Sequence, residues 1–103
     1  MKPQTDIKIY RTRNDTDAIS FILSYSEDGC VARVPDIATV NLNIETSPVI
    51  QITGSGEGSG EFIFPTTSLS GIDGTYNFEV EVNDTTKIYT IGTGSLIIYP
   101  DIA

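Results

Sequence analysis

The alternation of apolar and polar residues between Tyr76 and Val82 constrains the fold more than any other stretch of the chain. Four apolar residues alternate with three polar ones, namely Tyr76, Phe78, Val80 and Val82 with Asn77, Glu79 and Glu81. A period of two is typical of a β-strand that buries one face. Residues 83–85 have Asn-Asp-Thr turn chemistry, and a second apolar run extends from Ile88 to Tyr99. The sequence therefore predicts a long antiparallel hairpin over residues 73–99.

Shorter apolar segments, separated by turn residues, precede this hairpin. The predicted strands cover residues 7–10, 19–25, 30–34, 39–45, 49–53 and 61–64, of which 30–34 has the weakest pattern. In the second of them Ile19, Phe21, Leu23 and Tyr25 share one face. Ile22 is an apolar residue out of phase with that face, so it is expected to point outward.

The connections between these strands have recognisable turn and loop chemistry. Residues 26–29 (Ser-Glu-Asp-Gly) predict a turn. Residues 54–60, which are rich in Gly and Ser, predict a flexible hairpin loop. Residues 66–74 predict a crossover to the main hairpin, and we expect Leu69 and Ile72 to enter the core from it.

The last predicted strand contains an irregularity. Its apolar residues change from odd positions (Tyr89, Ile91) to even positions (Leu96, Ile98). Both pairs can face the core only if the strand slips by one residue between them. Gly92 and Gly94 lie in that interval, so the sequence predicts a bulge or bend there.

Tyr76 stands at the start of the predicted penultimate strand, just after Gly74. A tyrosine at that place in an immunoglobulin-like sandwich folds back and hydrogen-bonds the upstream backbone. Two residues later immunoglobulin domains have a cysteine, whereas this chain has Phe78. With six or seven short strands and no helical periodicity, the sequence predicts an all-β fold. We expect an immunoglobulin-like antiparallel β-sandwich of about seven strands without a disulfide, in a single domain over residues 1–103.

Charge and composition exclude several classes of function. The 103 residues include 14 acidic and 6 basic ones, for a net charge of -8, and such a surface repels nucleic-acid phosphates. There is no histidine, the commonest general base and the usual zinc ligand. Cys30 is the only cysteine, which excludes an internal disulfide and multi-thiolate metal sites. No apolar run approaches the roughly 20 residues that span a bilayer, so we expect a soluble protein made in a cytoplasm-like compartment.

Several groups of residues resemble catalytic or metal sites, but each has a simpler structural interpretation. The glycine-rich residues 54–60 lack the Lys-Ser/Thr pair and helix of a phosphate-binding loop. Two groups could offer oxygen ligands to calcium: Asn14, Asp15 and Asp17, or Asp73, Asn83 and Asp84. Asx turns explain both groups more simply. Glu79 and Glu81 fit an exposed polar strand face better than a glycosidase pair. We expect no catalytic residue, no cofactor and no metal.

The outer face of the last strand has a different character. If Leu96 and Ile98 point inward, then Ile97 and Tyr99 point outward. A β-branched and aromatic pair on one strand face can mark a contact surface. We therefore predict a protein interface that includes Ile97 and Tyr99, with Ile22 as a further outward apolar residue. The alternative is that the termini of the domain itself cover this face.

The hairpin and the residues after it also match a longer motif pattern. Its segments are residues 73–80 (Asp-Gly-Thr-Tyr-Asn-Phe-Glu-Val), 89–91 (Tyr-Thr-Ile), 94–98 (Gly-Ser-Leu-Ile-Ile) and 100–102 (Pro-Asp-Ile). This pattern resembles a small β-sandwich domain of tailed-phage structural proteins, such as the N-terminal part of baseplate upper proteins and related tail, neck or fibre-attachment proteins. Residues 35–42 resemble the D-L-x-G-A-x-V segment of that family, without its glycine. The family has no catalytic residues to carry over.

The resemblance implies a non-enzymatic virion protein that acts by protein–protein association in the tail, baseplate or neck, or as a capsid decoration. Such a protein is made in the host bacterial cytoplasm. Its expected partners are other virion proteins, in a homo- or hetero-oligomer, with no nucleic acid and no membrane. The alternative is a carbohydrate- or receptor-binding module that uses Tyr10, Tyr25 or Tyr99, and two tyrosines meeting on one concave face would favour it. An enzyme is the third hypothesis, since without histidine a nucleophile–base pair requires carboxylates or lysines.

Overall fold

A computed structural model describes residues 4–27, 30–35, 38–83 and 88–100 of the chain. These residues form ten strands and one short 3-10 helix, Thr67–Leu69. The strands are β1 (Gln4–Thr12), β2 (Ile19–Ile22), β3 (Ser24–Glu27), β4 (Cys30–Arg33), β5 (Thr39–Ile44), β6 (Ile50–Thr53), β7 (Ser55–Gly58), β8 (Glu61–Phe64), β9 (Gly74–Asn83) and β10 (Ile88–Tyr99). Within the described ranges, no helix has the length and apolar character needed to cross a membrane. The all-β class predicted from the sequence is confirmed.

The strands pair into three sheets. A five-stranded sheet has the order β1-β10-β9-β5-β6, a three-stranded sheet has the order β2-β8-β7, and β3 pairs with β4. β1 runs parallel to β10, whereas the other described pairs are antiparallel. The predicted β9–β10 hairpin is confirmed, and it occupies the middle of the largest sheet. The turn predicted at residues 83–85 falls partly outside the described residues.

The hydrophobic core is formed by side chains of both larger sheets. Apolar residues of β5, β9 and β10 belong to the same buried cluster as those of β2 and β8. Phe62 and Phe64 are fully buried, and Phe64 meets Phe21 edge to face with the ring centroids 5.9 Å apart. Leu69 is buried and Ile72 packs against the cluster, as the sequence predicted. Alternation therefore identified the inward residues correctly along these strands.

The irregularity predicted in the last strand is present. The β9–β10 register shifts between Thr90 and Gly92, so Ile91 is the extra residue of a bulge. The bulge lies one residue before the predicted 92–94 segment. Because of this shift Ile91 and Leu96 are both buried although one is odd and the other even.

The prediction of a flexible hairpin loop over residues 54–60 is wrong about the secondary structure of this segment. Ser55–Gly58 forms β7, and it pairs with β8. A Cβ atom on Gly54 would lie only 2.7 Å from the Phe64 ring, and Gly60 adopts φ +82 beside the carbonyl of Leu23. At these two positions glycine serves close packing and a left-handed turn, so the composition misled the prediction.

The second predicted strand divides at Leu23. Its N–H donates to the carbonyl of Gly60 at 2.7 Å, while its own carbonyl accepts from the N–H of Val34 at 3.0 Å. The chain thus changes partner here, from β8 to β4. This division and β7 add two strands to the eight segments predicted as strands, so the described residues contain ten, more than the sandwich of about seven strands that was expected.

The turn predicted for residues 26–29 is wrong in its first half. Ser26 and Glu27 belong to β3 and pair with β4, while residues 28 and 29 lie outside the described part of the chain. The segment 30–34, predicted with the weakest pattern, contributes the strand β4. The side chains of Tyr25 and Cys30 are outside the described part of the structure, so the expectations about these two residues stay predictions.

Candidate functional site

The outer face of the five-stranded sheet contains a depression that is open to a partner. This depression, of about 760 Å³, crosses all five strands of the sheet. Ten of the residues that line it are polar or acidic: Thr5, Asp6, Asn43, Glu45, Gln51, Asn77, Glu79, Glu81, Thr93 and Ser95. We call this region the acidic depression. Since neighbouring strands lie about 4.8 Å apart, it extends over roughly 19 Å across the sheet.

Hydrogen bonds between strands hold several of these side chains in place. The Gln51 amide donates to Asn43 Oδ1 at 2.9 Å, and the Asn43 amide donates to Glu79 Oε1 at 3.2 Å. The Thr90 hydroxyl donates to Glu79 Oε2 at 3.4 Å. Cross-strand pairs of this kind are the usual way in which a polar sheet face is ordered. Glu79 is therefore a fixed acceptor in the floor of the depression.

A second bulge shapes the β1 side of the depression. The β1–β10 register shifts between Gln4 and Ile7, and Asp6 adopts φ 62 within the shifted segment. Asp tolerates this left-handed conformation better than most residues. Just beyond the bulge β1 approaches β10 so closely that a Cβ on Gly94 would overlap the carbonyl of Ile7. The depression begins where β1 departs from regular pairing with β10.

Two tyrosines meet on the same sheet face, beyond the end of the depression. The rings of Tyr10 and Tyr99 are stacked, with centroids 6.4 Å apart and an interplanar angle of 12°. They are 60% and 52% exposed, respectively. Ile97 is half-buried and lies opposite Tyr10 in the β1–β10 register. We call Tyr10, Ile97 and Tyr99 the tyrosine patch.

The predicted interface residues do not form one surface. Ile97 and Tyr99 lie together in the tyrosine patch, but Ile22 lies in β2, opposite Glu61 of β8. Ile22 is 62% exposed on the outer side of the three-stranded sheet, across the core from the patch. Local alternation identifies outward residues but not the sheet that presents them. The alternative was that the termini of the domain cover the outer face of the last strand. Those termini, residues 1–3 and 101–103, lie outside the described part of the chain.

The first group of calcium candidates surrounds an arginine. Arg11 belongs to β1 and its side chain is 7% exposed. Its guanidinium donates to the carbonyl of Asp15 at 2.5 Å, to that of Asp17 at 3.1 Å and to the Thr66 hydroxyl at 3.3 Å. The N–H of Asp17 donates to Asp15 Oδ1 at 2.9 Å, as in an Asx turn. Across the described ranges, no group of three or more Cys, Asp or Glu side chains is arranged to hold a metal ion.

The loop before β9 is tied to the loop after β1. Arg13 pairs with the carboxylate of Asp73 at 3.4 Å, and Asn14 Oδ1 accepts from the N–H of Gly71 at 2.9 Å. The Tyr76 hydroxyl donates to the carbonyl of Asp73 at 2.6 Å, which is the fold-back hydrogen bond predicted for this tyrosine. Gly74 adopts φ +115 at the start of β9. These contacts assign a structural role to the polar residues at this end of the five-stranded sheet.

Comparison with known proteins gives no further identification. No family model, curated protein or solved structure matches the chain. The outer sheet face and the sequence pattern are therefore the features that bear on its function.

Proposed function

We propose that the chain is an immunoglobulin-like β-sandwich that acts by protein–protein association, as a non-enzymatic structural component of a tailed-phage particle. The tyrosine patch carries this proposal, because it leaves two stacked aromatic rings exposed on the outer face of the five-stranded sheet. Tyrosine is enriched in protein interfaces, where its ring supplies a large contact area at low cost in conformational entropy. The mechanism requires only burial of this patch against a partner.

The strand order supports the immunoglobulin-like part of the proposal. In a variable-type immunoglobulin sandwich one sheet contains strands G, F, C and C′, and the other contains B, E and D. When the strands are matched by their order along the chain, β10, β9, β5 and β6 correspond to G, F, C and C′, and β2, β8 and β7 correspond to B, E and D. Their order across each sheet then also agrees with that of the immunoglobulin sheets. The β3–β4 hairpin is then an insertion between strands B and C.

Two aromatic residues support the same correspondence. The hydroxyl of Tyr76 reaches back to Asp73 at the start of β9, which is the place of the tyrosine corner on strand F. The immunoglobulin disulfide joins strands B and F, two residues after that tyrosine. Here Phe78 occupies that place and lies 6.3 Å, between ring centroids, from Phe21 of β2. An aromatic contact between the sheets thus takes the position of the disulfide.

The virion part of the proposal rests on the motif resemblance of residues 73–102 to domains of tail, neck and baseplate proteins. Its expected partners are other virion proteins. An acidic chain with a net charge of -8 suits association with proteins better than association with nucleic acid. The tail, baseplate, neck and capsid surface are the candidate locations, and assembly would follow synthesis in the host bacterial cytoplasm.

Mass spectrometry of gradient-purified particles of the encoding phage tests this function. We expect the chain to be present in fixed stoichiometry with the other particle proteins. A Tyr10→Ala/Tyr99→Ala variant should be incorporated poorly, whereas Ile88→Ala, which alters an equally exposed residue at the other end of β10, should be incorporated normally. Absence of the wild-type chain from particles would refute the proposal.

A carbohydrate- or receptor-binding module is the second candidate. The observation that favours it is the meeting of Tyr10 and Tyr99 beside a depression lined by amide and carboxylate side chains. Such groups can hydrogen-bond sugar hydroxyls while the rings provide an apolar platform. A glycan array with wild-type protein and Tyr99→Ala tests this hypothesis. Binding that the substitution abolishes supports it, and an array without a hit removes it.

A further inference from the structure

We propose that the acidic depression and the tyrosine patch form one docking surface for a cationic segment of a different protein. The inference rests on the proposed function and specifies the chemistry of the partner. It requires that the two regions are continuous, that their charge selects a basic partner and that a second copy of the chain is a poor occupant.

The two regions are continuous along β10. Ser95 lines the depression, and Ile97 and Tyr99 are the next two residues of the same strand that face outward. Outward residues of a strand are about 6.6 Å apart, so the patch begins within one such step of the depression. A partner segment that crosses the depression can therefore also cover the tyrosines.

The depression presents a concentration of negative charge. Asp6, Glu45, Glu79 and Glu81 contribute carboxylates, and no Lys or Arg among the described residues lines it. One basic side chain stands at its border, because Lys8 is exposed and lies opposite Ser95. Complementary potentials steer association and select the partner, so a lysine- or arginine-rich segment fits this face.

The basic residues near the patch offset this charge only in part, because exposed Lys8 contributes one positive charge against four carboxylates. The guanidinium of Arg11 is buried against the loop after β1, and Arg13 is paired with Asp73. A second copy docking face to face would place each acidic depression against its own equivalent. Like charges placed against one another at an interface are repelled, so this face favours a heterologous partner over a copy of the chain.

The floor of the depression is ordered before a partner arrives. Glu79 accepts hydrogen bonds from Asn43 and Thr90, and Asn43 is held in turn by Gln51. A fixed carboxylate loses less side-chain entropy on binding than a free one. The tyrosine rings are stacked on one another and are similarly restrained. This arrangement provides a polar half that selects charge and an aromatic half that supplies buried area.

Titration of the ¹⁵N-labelled full chain with a synthetic peptide tests the docking surface. The probe has alternating lysines in one half and alternating leucines in the other, and the comparison peptide has glutamate in place of lysine. We expect the lysine peptide alone to shift amide resonances of β5, β9 and β10, with an affinity that falls as salt is added. Glu79→Gln/Glu81→Gln should weaken its binding about fivefold.

A matched variant separates local recognition from overall charge. Glu57→Gln/Glu61→Gln removes the same two charges from β7 and β8 of the other sheet, and it should leave the affinity unchanged. Equal weakening by both double variants, or no binding of the lysine peptide, would overturn the proposal. Binding of a neutral oligosaccharide to this face in place of the peptide would overturn it in favour of a saccharide ligand.

Particle incorporation distinguishes failure of this inference from failure of the proposed function. Normal incorporation of Glu79→Gln/Glu81→Gln would exclude the acidic depression as the docking surface while leaving the virion role intact. Absence of the wild-type chain from particles would instead remove the role itself. Reduced incorporation of this variant, with normal incorporation of Glu57→Gln/Glu61→Gln, is the result expected from both proposals together.

Discussion

Replacing Tyr76 with Phe is expected to destabilise the fold by about 1 kcal/mol, because it removes one short hydrogen bond and little else. The Tyr76 hydroxyl donates to the carbonyl of Asp73 at 2.6 Å, near the short end of the usual O–H···O range. The ring packs against the core cluster, and Phe retains that contact. Tyr76 is half-buried, so water can partly replace the lost donor and the cost should not exceed the usual range for one hydrogen bond.

The size of this effect is within the reach of ordinary assays. In a domain of this length, a loss of about 1 kcal/mol lowers Tm by roughly 4–8 °C. In urea, a slope of about 2 kcal/mol/M would lower the unfolding midpoint by about 0.5 M. Thermal and urea unfolding, both followed by circular dichroism, should give the same loss of free energy.

Tyr10→Phe is the matched control for this prediction. It removes the same hydroxyl from a ring that is 60% exposed, and its effect should stay within about 0.5 kcal/mol. If both variants lose equal stability, or if Tyr76→Phe is as stable as wild type, the hydrogen bond to Asp73 does not stabilise the corner and our reasoning is wrong.

Three further predictions concern packing and charge. Gly94→Ala forces β1 away from β10 and should cost about 3 kcal/mol in urea unfolding; a loss below about 1 kcal/mol would contradict the close approach of these strands. Gly54→Ala should cost about 2 kcal/mol through overlap with Phe64, and a double-mutant cycle with Phe64→Leu should recover about 1 kcal/mol; strict additivity would argue against that contact. Arg11→Met should cost about 2 kcal/mol because it leaves partly buried acceptors without their donor, whereas Arg13→Ala, at a half-exposed ion pair, should cost less than about 1 kcal/mol; equal losses would refute the distinction.

The direction in which the side chains of a strand point was predicted well from the sequence. Leu42 of β5 and Val80 of β9 are fully buried, as alternation required. The bulge at Ile91 was expected within one residue, because an inserted residue is what moves the inward side chains of a strand from odd to even positions. Each of these inferences depends on which face a side chain occupies, and neighbouring residues alone determine that.

Glycine was the residue type that misled the prediction most. The glycine content indicates that the backbone of residues 54–60 can adopt unusual conformations, but it does not indicate which structural feature requires glycine there. In the fold Gly54 gives room to the Phe64 ring and Gly60 turns the chain beside Leu23. Both uses depend on residues elsewhere in the chain, so no local pattern could have revealed them.

The candidate site was predicted only in part for the same reason. Ile97 and Tyr99 were correctly placed on the outer face of the last strand, and Ile22 on an outer face as well. The stacking of Tyr10 on Tyr99, the Asp6 bulge and the hydrogen bonds that hold Glu79 all bring together residues of different strands. The pairing of strands that are distant in sequence is decided by the packing of the whole core.

The sequence by itself determined the all-β class, the central β9–β10 hairpin and the inward face of its main strands, since a period of two is a property of the local chain. It also set the acidic charge and the absence of histidine, which limit the available chemistry. Only the tertiary structure placed β1 parallel to β10 and so brought Tyr10 to Tyr99. It also separated Ile22 from both tyrosines and brought together four carboxylates from two strands and the end of a third. These outcomes depend on strand order and register, which are set by burying one common core and not by any single segment.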